Sequence, residues 1–215
     1  VVLLALRLQN IDDYPVETIG WLLMPRGLGG MFAMLIVGRV MRAIDPKHVV
    51  CAGFLMIAAG CWIMSGWSLS ADVTEIWIAG VVYGMGIALV YVPVTTFAFA
   101  TIDPRYRTDV SAVYSLMLNM GSGIGITIAI IVLTQAVQVS HEDLSQHVSR
   151  FNELFRAPGI AESWGLGSER GLQRIENQIQ LQATAIAYNN TFWLLTLWAI
   201  AISPLIYLIA RRRRD

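Results

Sequence analysis

Residues 18–41 read TIGWLLMPRGLGGMFAMLIVGRVM. This stretch is apolar and long enough to cross a bilayer, which takes about 20 residues. Yet Pro25, Arg26 and Gly27 lie near its middle and Arg39 near its end. A charge at that depth costs about 2–3 kcal/mol unless it is paired or hydrated. Arg26 lies about 12 Å along the helix from Thr18, so its side chain could partly reach the headgroups. The alternative is a cavity-facing role. Pro25 and Gly27 favour that alternative, because they free backbone groups that need neighbours or water.

Four further apolar runs share this length: Val49–Trp67, Ile76–Ala100, Val110–Val139 and Ile186–Ala210. None of the four contains Asp, Glu, Lys or Arg. Val1–Gln9 reads as the end of another such helix, so the chain is expected to continue a longer protein. Hydrophobic residues make up 56% and charged residues only 14% of 215 residues, and mean hydropathy is +0.59. Soluble domains carry about 25% charged residues. The fold class is therefore an all-α, polytopic membrane protein. A net charge of zero gives no reason to expect a nucleic-acid partner.

Orientation follows from the connections. One set holds Arg39, Arg42, Lys47, Arg105, Arg107 and Arg211 to Arg214; the opposite set holds Asp12, Asp13, Glu17, Asp72 and Glu75 with no Lys or Arg. The basic side is expected to be cytoplasmic, and with it the tail at 211–215. Residues 140–185 then form an extracytoplasmic loop. Leu144, Val148, Phe151 and Phe155 recur at helical spacing, as do Leu172, Ile175 and Ile179. Two amphipathic helices at the outer membrane face are expected, the second able to extend the last span outward. Asn189-Asn190-Thr191 matches a glycosylation sequon but sits at a span boundary.

Polar residues inside the spans are few. Ser111, Ser115, Asn119 and Ser122 fall on one helix face, either bonding to neighbouring helices or lining a watery cavity. The third full span holds Tyr83, Tyr91 and Pro93, and the proline lets a helix bend. Gly80 with Gly84, and Gly121 with Gly125, fit the small-residue spacing of close helix crossings. Cys51 and Cys61 are ten residues apart on one helix, about 15 Å, so no disulfide joins them and they read as packing residues. His141 and His147 lie among carboxylates and read as solvated. With no acid, base or metal ligand within the spans, an enzyme is not expected.

YPVETIGWLLMPRGLGGMFAMLIVGRVMRAIDPK at 14–47, with GVVYGMGIALVYVPVTTFAFATID and TDVSAVYSLMLNMGSGIGI, resembles the EmrB/QacA-type branch of the major facilitator superfamily. Members of that branch are fourteen-span drug/proton antiporters. The resemblance covers essentially the whole chain and makes it the C-terminal half of such a bundle, five full spans plus the end of a sixth. It implies alternating access, with a proton gradient rather than a cofactor driving export of amphipathic small molecules. In Gram-negative members it also implies an inner-membrane location and docking on a periplasmic adaptor and an outer-membrane channel. The superfamily's cytoplasmic loop motif is degenerate here: Gly38, Arg39, Arg42, Asp45 and Lys47 occupy that turn, with Arg42 and Ala43 where acidic and arginine positions are usual. Proton-carrying acids are then expected in the missing N-terminal half.

Candidates for the cavity or its moving walls are Arg26, Tyr83, Tyr91, Pro93, Ser115 and Asn119. Alternative functions are an exporter of one endogenous metabolite or siderophore, or a non-transporting subunit whose spans only anchor it.

Overall fold

The computed structural model describes residues 2–69, 71–100, 102–147 and 169–211. They form six helices: α1 (Val2–Asn10), α2 (Val16–Ala43), α3 (Pro46–Ser65), α4 (Val73–Ala100), α5 (Arg107–His147) and α6 (Glu169–Arg211). A single 3-10 turn, Pro104–Tyr106, precedes α5. There is no strand among the described residues. Five of the helices, all but α1, are long and apolar enough to cross a membrane.

Local chemistry sets the boundaries. The α2–α3 turn is tight because Asp45 caps α3, its carboxylate accepting from the Lys47 amide at 3.3 Å, with Pro46 at the first helical position. Asp103 caps the 3-10 turn in the same way. Glu17 and Asp109 lie in the first turns of α2 and α5, and Arg42 in the last turn of α2, each opposing the helix dipole. At its far end α3 stops at Ser65, so Gly66 and Trp67 leave the helix although the apolar run includes them. In the α1–α2 connection Asp13 has a φ of 50°, a left-handed conformation that aspartate tolerates better than most residues.

The described parts of residues 140–185 are helical and run on from the adjoining spans. Residues 140–147 continue α5, and 169–185 are the first turns of α6. At 1.5 Å per residue α5 is about 61 Å long and α6 about 64 Å, twice the hydrocarbon thickness of about 30 Å. Across these extensions His141 Nε2 lies 2.8 Å from Glu176 Oε1, so His141 has a partner rather than only solvent. Ile175 and Ile179 are buried. Val148, Phe151 and Phe155 lie outside the described residues.

Packing runs in the order α2, α4, α3, α6, α5, with α1 set against α2, α5 and α6. Glycines make the tightest crossings. A Cβ on Gly29 would meet the Val81 carbonyl oxygen at 2.5 Å, and one on Gly84 would strike the Arg26 carbonyl, so α2 and α4 touch backbone to backbone. On the opposite side of α4, Gly86 faces Gly53 and Ile57 of α3 just as closely. Gly80 and Gly84 thus do what their spacing predicts. Gly121 and Gly125 do not, because no neighbouring helix among the described residues comes within 4 Å of where their Cβ atoms would be. Most of α5 is exposed, and large apolar side chains cover the outside of the bundle, Leu35 and Met117 among them.

Candidate functional site

Pro25 and Gly60 build the centre of the bundle. The proline has no N–H, so the α2 backbone is freed one turn back. The next residue, Arg26, points toward α4, where its guanidinium carbon stands 4.5 Å from the centroid of the Tyr83 ring. Such a cation over an aromatic face gains about 0.5–2 kcal/mol, more as water is excluded. Tyr83 can lie there because Gly60 of α3 has no side chain; a Cβ would come within 2.8 Å of the Tyr83 Cβ.

A cavity of about 250 Å³ opens beside this pair. Leu3 and Leu4 of α1, Cys61 and Met64 of α3, Ser122 and Ile126 of α5 and Phe192 of α6 complete its wall. A second hollow of about 400 Å³, also lined by Arg26, lies between α2 and α4 beside Gly27, Gly30, Met31, Met34 and Gly84. Arg26 thus lines two concave regions, each mostly apolar with one fixed charge. Such a surface recognises amphipathic molecules by shape and one electrostatic contact.

The expected site residues divide. Arg26 and Tyr83 meet. Pro93 is fully buried but outside both hollows, and Tyr91 is 43% exposed on the same helix. The carbonyls near that proline are occupied locally, with Thr95 Oγ1 donating to Tyr91 and Val92 and Thr96 Oγ1 to Val92. Ser115 and Asn119 are exposed on α5, away from Arg26. The stripe makes no interhelical bond among the described residues: Ser111 and Ser122 donate to carbonyls of their own helix, Thr108 and Asn119. Ser122 alone of the four lines the Arg26 cavity. At the basic end, Gly38 is open, Arg39 donates to Leu35 one turn back at 3.4 Å, and Asp45 serves as a helix cap. Cys51 and Cys61 are free thiols. Cys51 Sγ contacts Ser203 Oγ at 2.8 Å, and Cys61 lies in the cavity wall.

One charge escaped the sequence argument. Arg7 of α1 is completely buried. Its Nη1 donates to Asn189 Oδ1 at 2.9 Å and its Nη2 to the Ser68 carbonyl at 2.7 Å, and the guanidinium lies 5.0 Å from the Trp67 ring centroid. Asn189 Nδ2 in turn donates to the Trp67 carbonyl at 2.7 Å, which closes the knot. Beside it, the Tyr188 hydroxyl accepts from Asn10 at 3.4 Å. Asp12 is the nearby countercharge; burial pushes its carboxyl above the ordinary carboxylate range, while Arg7 pulls it back. The sequence signal was an arginine inside LLALRLQN, followed by Asp12 in an otherwise short connection.

No cluster of metal-binding side chains occurs among the described residues. The chain is similar to several export and resistance proteins. Multidrug export protein EmrB of Haemophilus influenzae is 22% identical over 196 residues, 90% of this chain and 38% of its own length. The probable multidrug resistance protein EmrY of Escherichia coli is 23% identical over 210 residues, 96% of this chain and 41% of its own. A multidrug resistance protein B homolog of Mycobacterium tuberculosis is 30% identical over 138 residues, 63% of this chain and 25% of its own. The chain thus spans about two-fifths of the length of the first two relatives. Residues 2–139, from α1 through the apolar part of α5 and so including Arg7, Arg26 and Tyr83, match the family model of the Major Facilitator Superfamily. This helical, multi-pass membrane protein belongs to that superfamily of transporters.

Proposed function

We propose that the chain is the C-terminal part of an efflux transporter that exports amphipathic toxic compounds by alternating access, driven by a proton gradient. The observation that carries this reading is the Arg26–Tyr83 pair in the wall of a mostly apolar cavity assembled from all six helices. Relatives named as multidrug export and resistance proteins, aligned over 90% or more of this chain in two cases, support the drug-export class. Their greater length supports a binding site completed by another part of the protein. The exposed face of α5, with Ser115 and Asn119, is where that part would pack. The lack of Asp and Glu in the five apolar runs supports proton-carrying carboxylates in that part too.

The segregation of Arg39, Arg42, Lys47, Arg105 and Arg107 from Asp12, Asp13, Asp72 and Glu75 supports a cytoplasmic basic end in a cell's inner membrane. In a two-membrane cell the same reading includes a periplasmic adaptor and an outer-membrane channel as partners. A purely anchoring subunit is disfavoured because Arg26 lines two hollows.

The test is accumulation of an ethidium-like cation, within a broad compound panel, by cells expressing the full-length protein with and without a proton gradient. Gradient-dependent reduction of accumulation is expected. Unchanged accumulation across the panel defeats the multidrug reading. Within that assay Arg26→Ala is expected to cut export about tenfold, the loss of one cation–aromatic contact and one cavity charge, while membrane insertion is unchanged.

A further inference from the structure

The Arg7 knot and the Arg26 cavity occupy successive levels of the same helices. On α1 the cavity takes Leu3 and Leu4, and the knot takes Arg7. On α3 the cavity takes Cys61 and Met64, and the knot uses Trp67 and Ser68 just beyond the helix end. On α6 the cavity takes Phe192, and the knot takes Asn189 one turn toward the acidic end. In each case the knot lies about 4–9 Å further toward the end that carries Asp12, Asp72 and Glu75, at 1.5 Å per helical residue. Its residues fill that level. Arg7 is 0% exposed, Leu8 0%, Trp67 3% and Tyr188 1%.

We propose that Arg7 is a latch that closes the Arg26 cavity at the acidic end of the bundle. One guanidinium ties three separate pieces of chain: α1, the α3–α4 turn and α6. Its planar fork suits two divergent oxygen acceptors with an aromatic face alongside, a combination that an ammonium cannot match. Leu3, Leu4 and Leu8 of α1 also pack in the apolar core, and the guanidinium is the polar contact that joins α1 to both the α3–α4 turn and α6 at this level. Releasing it unties these three pieces and opens the level above the cavity, so that the Cys61 thiol becomes exposed to the acidic side. The latch deepens the transport reading and rests on it for its purpose, but its opening is measurable without transport.

The native Cys61 is the reporter. In the full-length protein, with Cys51→Ser and any other cysteines replaced, a membrane-impermeant maleimide is added from the acidic side of the bundle. Cys61 in the parent is expected to react slowly. Arg7→Met is expected to raise the rate about tenfold or more, the shift that loss of a charge-assisted buried hydrogen bond brings to an open–closed equilibrium. Asn189→Ala, which removes one anchor and leaves the Ser68 carbonyl, should give a smaller rise. Asn189→Asp offers the guanidinium a carboxylate but loses the donor to the Trp67 carbonyl, so its rise should be smaller than that of Asn189→Ala. Asn10→Ala, adjacent to the knot but not part of it, should leave the rate at the parent value. An unchanged rate in Arg7→Met overturns the latch, as does an equal rise in Asn10→Ala, which would mark general loosening. If Arg7→Met does not fold, the two Asn189 variants decide the matter: a larger rise in Asn189→Ala than in Asn189→Asp supports the latch, and equal rises overturn it. Normal latch behaviour with no export of any compound would count against the transport reading and leave the latch standing.

Discussion

Gly84→Ala is the sharpest test of how α2 and α4 are held. A Cβ at Gly84 would meet the Arg26 carbonyl carbon at 2.9 Å and its Cα at 3.2 Å, besides striking the carbonyl oxygen. These are backbone atoms inside a helix, so no side chain can rotate away. Ordinary carbon–carbon contact lies at about 3.5–4.0 Å, so the two helices must separate by about 0.5–1 Å along their crossing. Overpacking of this kind costs about 1–3 kcal/mol, and at about 2–4 °C per kcal/mol the melting temperature should fall by about 2–12 °C. Gly80→Ala supplies the comparison. Its Cβ would sit 3.6–3.9 Å from the same Arg26, ordinary contact, and alanine is the better helix former by about 1 kcal/mol. Thermal unfolding of the purified full-length protein in detergent, followed by loss of monodisperse protein, reads both variants. If Gly84→Ala melts with Gly80→Ala or above it, the backbone crossing is not as tight as described and the reasoning fails.

Three other outcomes follow from the same geometry. Because the Asp12 carboxyl is raised by burial in the folded protein, its contribution to stability is fully present below the ordinary carboxylate value and is lost as pH rises through the raised one. The melting temperature of Asp12→Asn relative to wild type should therefore improve as pH goes from about 4 to 7; a pH-independent difference, or the opposite slope, would refute it. Asp45→Ala removes the carboxylate that accepts from the Lys47 amide and should cost about 1 kcal/mol, visible as a drop of about 2–4 °C, while Asp45→Ser should restore most of it. His141→Ala breaks an exposed pair and should change stability by less than about 1 kcal/mol at any pH; a larger loss would give the two helical extensions a role that their exposure does not predict.

The spans were readable because a bilayer imposes length and apolarity on every crossing, and all five apolar runs lie within helices apart from the two residues after Ser65. Arg26 and Tyr83 were each conspicuous, but nothing in a separation of 57 positions says that the two side chains meet. That contact depends on how α2 crosses α4, which Gly84 decides. The two glycine pairs show the limit of pattern: the same spacing marks a backbone crossing at Gly80 and Gly84 and an open face at Gly121 and Gly125. Spacing records that a helix permits close approach, not which neighbour takes it up. Arg7 was passed over because it stands near the end of an apolar run, where a charge ordinarily reaches water. Its burial depends on Trp67, Ser68 and Asn189, which are distant in sequence. Asn189 itself drew notice only as part of a sequon, although its amide is spent on Arg7 and the Trp67 carbonyl.

The glycine contacts on both sides of α4 have a consequence for how such a protein can change over generations. Where α2 bears on α4, main chain meets main chain, and on the α3 side main chain shares the crossing with Tyr83, Leu89 and Val90. Substitutions at Leu3, Met64, Ile126 or Phe192 alter the shape and polarity of the cavity without touching those contacts. Much of the recognition surface is thus encoded apart from the scaffold, with Arg26 and Tyr83 serving both. A lineage can redraw what the cavity admits, one side chain at a time, while the helices that form it stay in place.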